Sequence, residues 1–180
     1  ETAFHQWQDP GFLTVLPDQP TWASVLYGRE TSTGQRVDMG TFKSVLKEGA
    51  GHAILRMTGA QGPASAVLTY GPFGGGHGHF DKLSFVYYAM GVEQGYDPGR
   101  AKSQAYRLPV HKNWYRATTS HNTVLVDRSS QEGVEGQLVF FVEHEAFAAA
   151  AAVVDTAYEN IIHHKLLVMR PDYLLAVDIL

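Results

Sequence analysis

With 180 residues, 44% of them apolar and 18% charged, the chain has the composition of an ordinary globular protein and enough length for one hydrophobic core. A formal charge of −4 with scattered lysines and arginines leaves no basic stripe for nucleic acid and no polybasic run for anionic membranes. There is no cysteine, hence no disulfide and no thiolate ligand; a metal would have to be held by His, Asp, Glu or carbonyl oxygen, which draws attention to the nine histidines.

No apolar stretch reaches the ~20 residues that a membrane-spanning helix requires. The chain opens on Glu1-Thr2-Ala3-Phe4, without a basic segment leading into an apolar run, and stops at Val177-Asp178-Ile179-Leu180 in mid-strand pattern, as expected of a piece of a longer protein. Residues 1–36 contain Trp7, Trp22, Pro10, Pro17 and Pro20 with no sustained period, which predicts a short helix or two and a linker. From residue 37 to residue 180 short β-rich runs alternate with turn residues. Strands are predicted at 53–57, 66–70, 83–90, 123–127, 138–143, 166–169 and 173–180. Between them, 147–154 carries five successive alanines, which favour helix, but its valines and neighbours favour strand, and strand is the expectation. So many short strands predict an all-β fold, an antiparallel sandwich or barrel.

The densest chemical signal is Gly71-Pro72-Phe73-Gly74-Gly75-Gly76-His77-Gly78-His79-Phe80-Asp81-Lys82-Leu83-Ser84-Phe85. Glycines strip side chains from the backbone around two imidazoles and permit close approach of a ligand. In an extended segment His77 and His79 would share a face and begin a metal site; otherwise the segment is a glycine-rich turn with exposed histidines. Gly95-Tyr96-Asp97-Pro98-Gly99 is a turn that fixes a carboxylate, and in Ser120-His121-Asn122-Thr123-Val124 a histidine opens a β-branched run. His79, Asp97 and His121 together would make a two-His, one-carboxylate set suited to zinc, although Asp97 could merely cap its turn and His121 could be a satisfied strand-end histidine. In the stretch from Tyr106 to Arg116, aromatic rings and cations alternate on an expected loop. Trp114 and Tyr115 would stack on sugars and Lys112 and Arg116 would pair with carboxylates, or these aromatics are core anchors with solvated cations beside them.

Three ordered motifs, Gly71 to Phe85, Tyr96-Asp97-Pro98-Gly99, and Trp114-Tyr115-Arg116 running into Ser120-His121-Asn122-Thr123-Val124, resemble the heparinase II/III-like family of alginate and heparin or heparan sulfate lyases. Looser matches at Gly51-His52-Ala53-Ile54-Leu55-Arg56 and Arg170-Pro171-Asp172-Tyr173-Leu174-Leu175 extend the likeness over most of the chain, and Pro109-Val110-His111-Lys112 with Trp114-Tyr115 is similar to the oligoalginate-lyase branch. The resemblance implies a β-sandwich that is part of a larger multi-sheet sandwich. It gives His77 to the active site, with Tyr106 as the partner tyrosine and Tyr115 as the alternative, and gives His79, Asp97 and His121 to a structural zinc ion. Phe80 departs from the small residue or proline expected at its place. The family's α/α toroid domain matches nothing in this sequence, so residues 1–36 would be only its tail and linker, residues 37–180 the β-domain, and the chain alone would be inactive or nearly so. The substrate so implied is an acidic, uronate-containing polysaccharide or oligosaccharide, cleaved by β-elimination in the periplasm or outside the cell. Two rivals remain. A cupin-like metal oxygenase fits His77-x-His79 but has Leu83 or Ser84 where its glutamate should be, and a non-catalytic carbohydrate-binding sandwich would use the aromatics at 106, 114 and 115 as a platform.

Overall fold

The computed structural model describes residues 43–101 and 108–180. The helix-and-linker expected over residues 1–36 lies outside these, and so does Tyr106. Among the described residues, alternation of apolar and polar side chains builds nine strands: β1 (Val45–Lys47), β2 (His52–Gly59), β3 (Gly62–Thr69), β4 (Phe85–Ala89), β5 (Val92–Gly95), β6 (Gln137–His144), β7 (Phe147–Tyr158), β8 (Ile161–Arg170) and β9 (Tyr173–Ile179). They form two antiparallel sheets, β1-β2-β3-β4-β5 and β6-β7-β8-β9, each in sequence order. No helix among the described residues is long and apolar enough to cross a membrane.

The sheets pack face to face. Ala53, Leu55 and Met57 of β2 and Ala64, Ala66 and Leu68 of β3 form one core with Ala148, Ala150, Ala152 and Val154 of β7 and Leu167 and Met169 of β8. The alanine run is therefore a strand: pairing with β6 on one side and β8 on the other overrides its helix propensity, and the small side chains leave room for the larger ones of the opposite sheet. Ala150 is fully buried in this core. Ala150→Leu is expected to lower unfolding free energy by about 1–3 kcal/mol through overpacking, measured by urea denaturation.

One expected strand is absent. Residues 123–127 make only an isolated bridge, Val126 to Ser129, because Asp127 and Arg128 adopt positive φ and turn the chain back at once, while the Thr123 hydroxyl donates to the Lys82 carbonyl at 2.8 Å. The aromatic stretch is likewise not a plain loop; His111–Tyr115 winds into one π-helical turn. Both segments belong to the long connection between β5 and β6. The other long connection, between β3 and β4, starts where Gly51 and Gly71 touch backbone to backbone: the Tyr70 and Gly71 amides both donate to the Gly51 carbonyl, and a Cβ on Gly51 would fall 1.9 Å from the Gly71 Cα.

On β8 the inward register also carries polar residues, His163 and Lys165, both buried. His163 Nε2 meets Asp178 Oδ1 of β9 at 2.6 Å, and the Lys165 ammonium donates to the same oxygen at 3.1 Å. Burial pushes the Asp178 carboxyl up, but its bonds to His163 and Lys165 outweigh this and hold its pKa below the ordinary value. A carboxylate depressed in the folded state adds stability that is full above the unfolded pKa, near 3.8, and is lost as pH falls through the folded value. Asp178→Asn is accordingly expected to be less stable than the parent at neutral pH, with the gap closing as pH drops below about 4, in parallel denaturant titrations at several pH values.

Candidate metal centre

The histidine loop is shaped by its glycines and its aromatic rings. Gly75–His77 forms a single 3-10 turn, so His77 and His79 do not lie on one extended face as a strand would place them; His77 ends the turn exposed, and His79 lies half-buried beyond it. Gly78 is obligatory between them, since a Cβ there would fall 1.6 Å from the Phe73 carbonyl oxygen. Phe80 stacks on Phe73 with ring centroids 5.1 Å apart. Over this pair lies the Arg116 guanidinium, 5.9 Å from the Phe73 ring and 5.2 Å from that of Phe80, and its Nε donates to the Gly78 carbonyl at 2.9 Å. Arg116, expected from sequence to pair with substrate carboxylates, thus also clamps the loop, and Phe80 supplies the clamp's second face. Arg116→Met should cost about 1–2 kcal/mol and speed amide hydrogen exchange from Gly78 to Phe80 well beyond the average for the domain.

Behind the loop, side chains of the following segment satisfy its main chain. The Thr118 hydroxyl donates to the Phe80 carbonyl at 2.5 Å and accepts from the Gln131 amide at 2.9 Å. Gln131 is buried and pairs both ways with Lys82, accepting from its amide at 2.7 Å and donating to its carbonyl at 3.0 Å. Asn122 donates from Nδ2 to the carbonyls of Phe85 and Tyr96, each at 2.9 Å, which ties the segment carrying His121 to the turn carrying Asp97.

These constraints bring His79, Asp97 and His121 together, with one ligand atom of each within 4.8 Å of the others. The His79 and His121 rings are 5.3 Å apart. Asp97 Oδ1 accepts from the Gly99 amide at 2.7 Å, capping its turn, while Oδ2 lies 3.0 Å from His121 Nδ1. His121 Nε2 is 3.2 Å from the Tyr115 carbonyl oxygen. A carbonyl only accepts, so Nε2 carries the proton, and Nδ1 then presents its lone pair to a carboxylate unless a second proton or a cation lies between them. An imidazole whose distal N–H is held by a backbone carbonyl is the arrangement that fixes a histidine for metal ligation. Burial, reinforced by the neighbouring His121, lowers the His79 pKa and favours the neutral, ligating form. Burial raises the Asp97 carboxyl, but the adjacent His121 ring and the hydrogen bond from the Gly99 amide prevail and hold its pKa below the ordinary value. Two imidazole nitrogens and a carboxylate fit zinc by donor type.

Residues 41–180 match the family described as heparinase II/III-like, C-terminal. The chain belongs to the heparinase II/III-like family. Its C-terminal domain here is 34% identical over 126 residues to an alginate lyase of Stenotrophomonas maltophilia (strain K279a), covering 62% of this chain and 17% of that protein. It is 29% identical over 126 residues to an exo-oligoalginate lyase of Saccharophagus degradans, covering 59% and again 17%. The chain therefore spans less than a fifth of the length of these relatives. Among solved structures, a heparinase III superposes with a TM-score of 0.70 at 20% identity, over 87% of this chain and 26% of that one. The heparan sulfate lyase HepC from Pedobacter heparinus gives 0.67 at 18%, over 94% and 27%. These likenesses establish the sandwich fold.

Within the heparinase II/III-like domain, the other residues singled out by sequence scatter around the centre. Trp114 is half exposed and Lys112 exposed on the π turn, and Tyr115 is half-buried, its ring stacked on His111 at 6.4 Å. The cupin position is filled by Leu83, fully buried in the core, and by buried Ser84, neither a metal ligand. His111 was not singled out as a site residue, yet it is buried and meets His79 edge-on at 6.3 Å. Its one signal was a place in the Pro109-Val110-His111 stretch of the family likeness.

Proposed function

We propose that this domain is the metal-bearing part of a polysaccharide lyase that cleaves uronate chains of the alginate type by β-elimination, exported to the periplasm or beyond. The convergence of His79, Asp97 and His121, with His77 two residues before the first of them, in a domain that matches the family carries the reading. Alginate is chosen over glycosaminoglycan because both curated relatives are alginate or oligoalginate lyases, whereas the heparinase likeness is one of fold.

In such an elimination the proton on C5 of a uronate leaves to a base, the C4–oxygen bond breaks, a C4–C5 double bond forms, and the departing oxygen takes a proton. The C5 proton is too weakly acidic while the adjacent carboxylate is charged, so donors that neutralise it and the developing enolate-like anion contribute most. His77, exposed on its turn, is assigned to carboxylate neutralisation or proton abstraction. A tyrosine serves as base and then as acid toward the leaving oxygen; Tyr106 is the candidate, with Tyr115 the alternative. His79, Asp97 and His121 would hold a zinc ion whose contribution is structural, keeping the histidine loop and the Asp-Pro-Gly turn in register. Further groups at the sugar carboxylate are assigned to an α/α toroid domain of the parent protein.

Elemental analysis of the purified chain is expected to find about one zinc per chain, lost in His79→Ala and in His121→Ala but kept in His77→Ala. In the full-length protein, His77→Ala should lower turnover of alginate oligosaccharides about 10²- to 10⁴-fold, followed by ultraviolet absorbance of the unsaturated product. A metal-free chain would sink the zinc assignment, and sugar affinity without turnover in the full-length protein would favour a binding module instead.

A further inference from the structure

We infer that Lys165 is a positioning residue for the His79–Asp97–His121 centre, acting from the opposite sheet through Asn122; this rests on reading that triad as a metal site. Lys165 lies on β8 in the core register between His163 and Leu167, with 2% of its surface exposed. Placing an ammonium there costs several kcal/mol that a methionine or leucine would not, so the sandwich itself has no need of the charge. The ammonium is directed at the site. Besides Asp178, it donates to the Asn122 carbonyl at 3.1 Å and sits 5.1 Å from the centre of the Phe85 ring, both outside its own sheet.

Asn122 is the joint of the centre. It follows His121 directly, and its Nδ2 holds the carbonyl of Tyr96, the residue before Asp97, and that of Phe85. One side chain thus sets the separation of two ligand-bearing segments, and Lys165 fixes that residue's own peptide from behind. Asp178, itself bonded to His163, anchors the ammonium in turn. His79 is held separately, by the bonds of Arg116 and Thr118 to its neighbours Gly78 and Phe80. Losing Lys165 should therefore loosen the His121–Asp97 side of the centre while leaving His79 in place. Metal–ligand distances tolerate only about ±0.2 Å, so a small drift there is felt as weaker and less regular binding.

The test uses the chain as it is, titrated with zinc against a chromophoric chelator and with cobalt(II) followed by its visible d–d absorption. Lys165→Met leaves Asp178 with His163 alone and is expected to lower the thermal stability of the metal-free chain, yet in the folded chain at low temperature to bind zinc about ten-fold or more weakly, with a cobalt spectrum altered in position or intensity. Asn122→Ala should weaken zinc binding and alter the spectrum likewise, and its result decides the matter if Lys165→Met fails to fold. Parental affinity and an unchanged cobalt spectrum in these variants would overturn the inference and leave the metal reading intact. A parent chain that binds neither ion would overturn both.

Discussion

The hydrogen bonds that Thr118, Thr123 and Gln131 send to the main chain of Phe80 and Lys82 are what the rest of the site depends on. Residues 71–84 are irregular backbone rich in glycine, which provides few side chains to pair with its own amides and carbonyls. Buried main-chain groups left unpaired would each cost more than a typical hydrogen bond contributes. Their partners come from the segment after the π turn, and that segment also carries His121. Satisfying the loop's backbone and bringing His121 to His79 are therefore one folding event.

The strands that read clearly from sequence are those whose alternation is anchored in the core. β2 and β3 place an apolar residue inward at every second position, and the structure extends them by only a few residues. β1 and β5, three and four residues long, are too short for a period to show. Thr123-Val124-Leu125-Val126 has the composition of a strand, but β propensity records fit to a pleated surface, and among the described residues no neighbouring strand pairs with it. The threonine hydroxyl and the left-handed pair Asp127 and Arg128 divert it. At β7, propensity and pairing disagreed, and tertiary pairing decided.

Legibility of the site divides by chemistry. Histidine and aspartate in glycine-rich or turn contexts advertise themselves, so His79, Asp97 and His121 could be named from residue type and family likeness before any coordinates. Lys165 could not. In His163-His164-Lys165 the polar residues occupy both registers of the strand, and nothing local says that the lysine points into the core. Arg116 was legible as a cation beside aromatics but not as one whose aromatics, Phe73 and Phe80, lie more than thirty residues earlier in the chain. Such couplings across the sequence arise only once the sheets have docked.

The π turn at His111–Tyr115 has a further implication, for how this segment can change over evolution. A π turn is an α-helical turn with one residue inserted, and the insertion lets buried His111 and the Tyr115 carbonyl that faces His121 Nε2 belong to the same turn. Deleting a single residue would rewind it to α geometry and rotate everything beyond by about 100°, carrying that carbonyl away from the imidazole. Lineages that keep the centre should thus conserve the length of this turn more strictly than the identity of its exposed member Asn113.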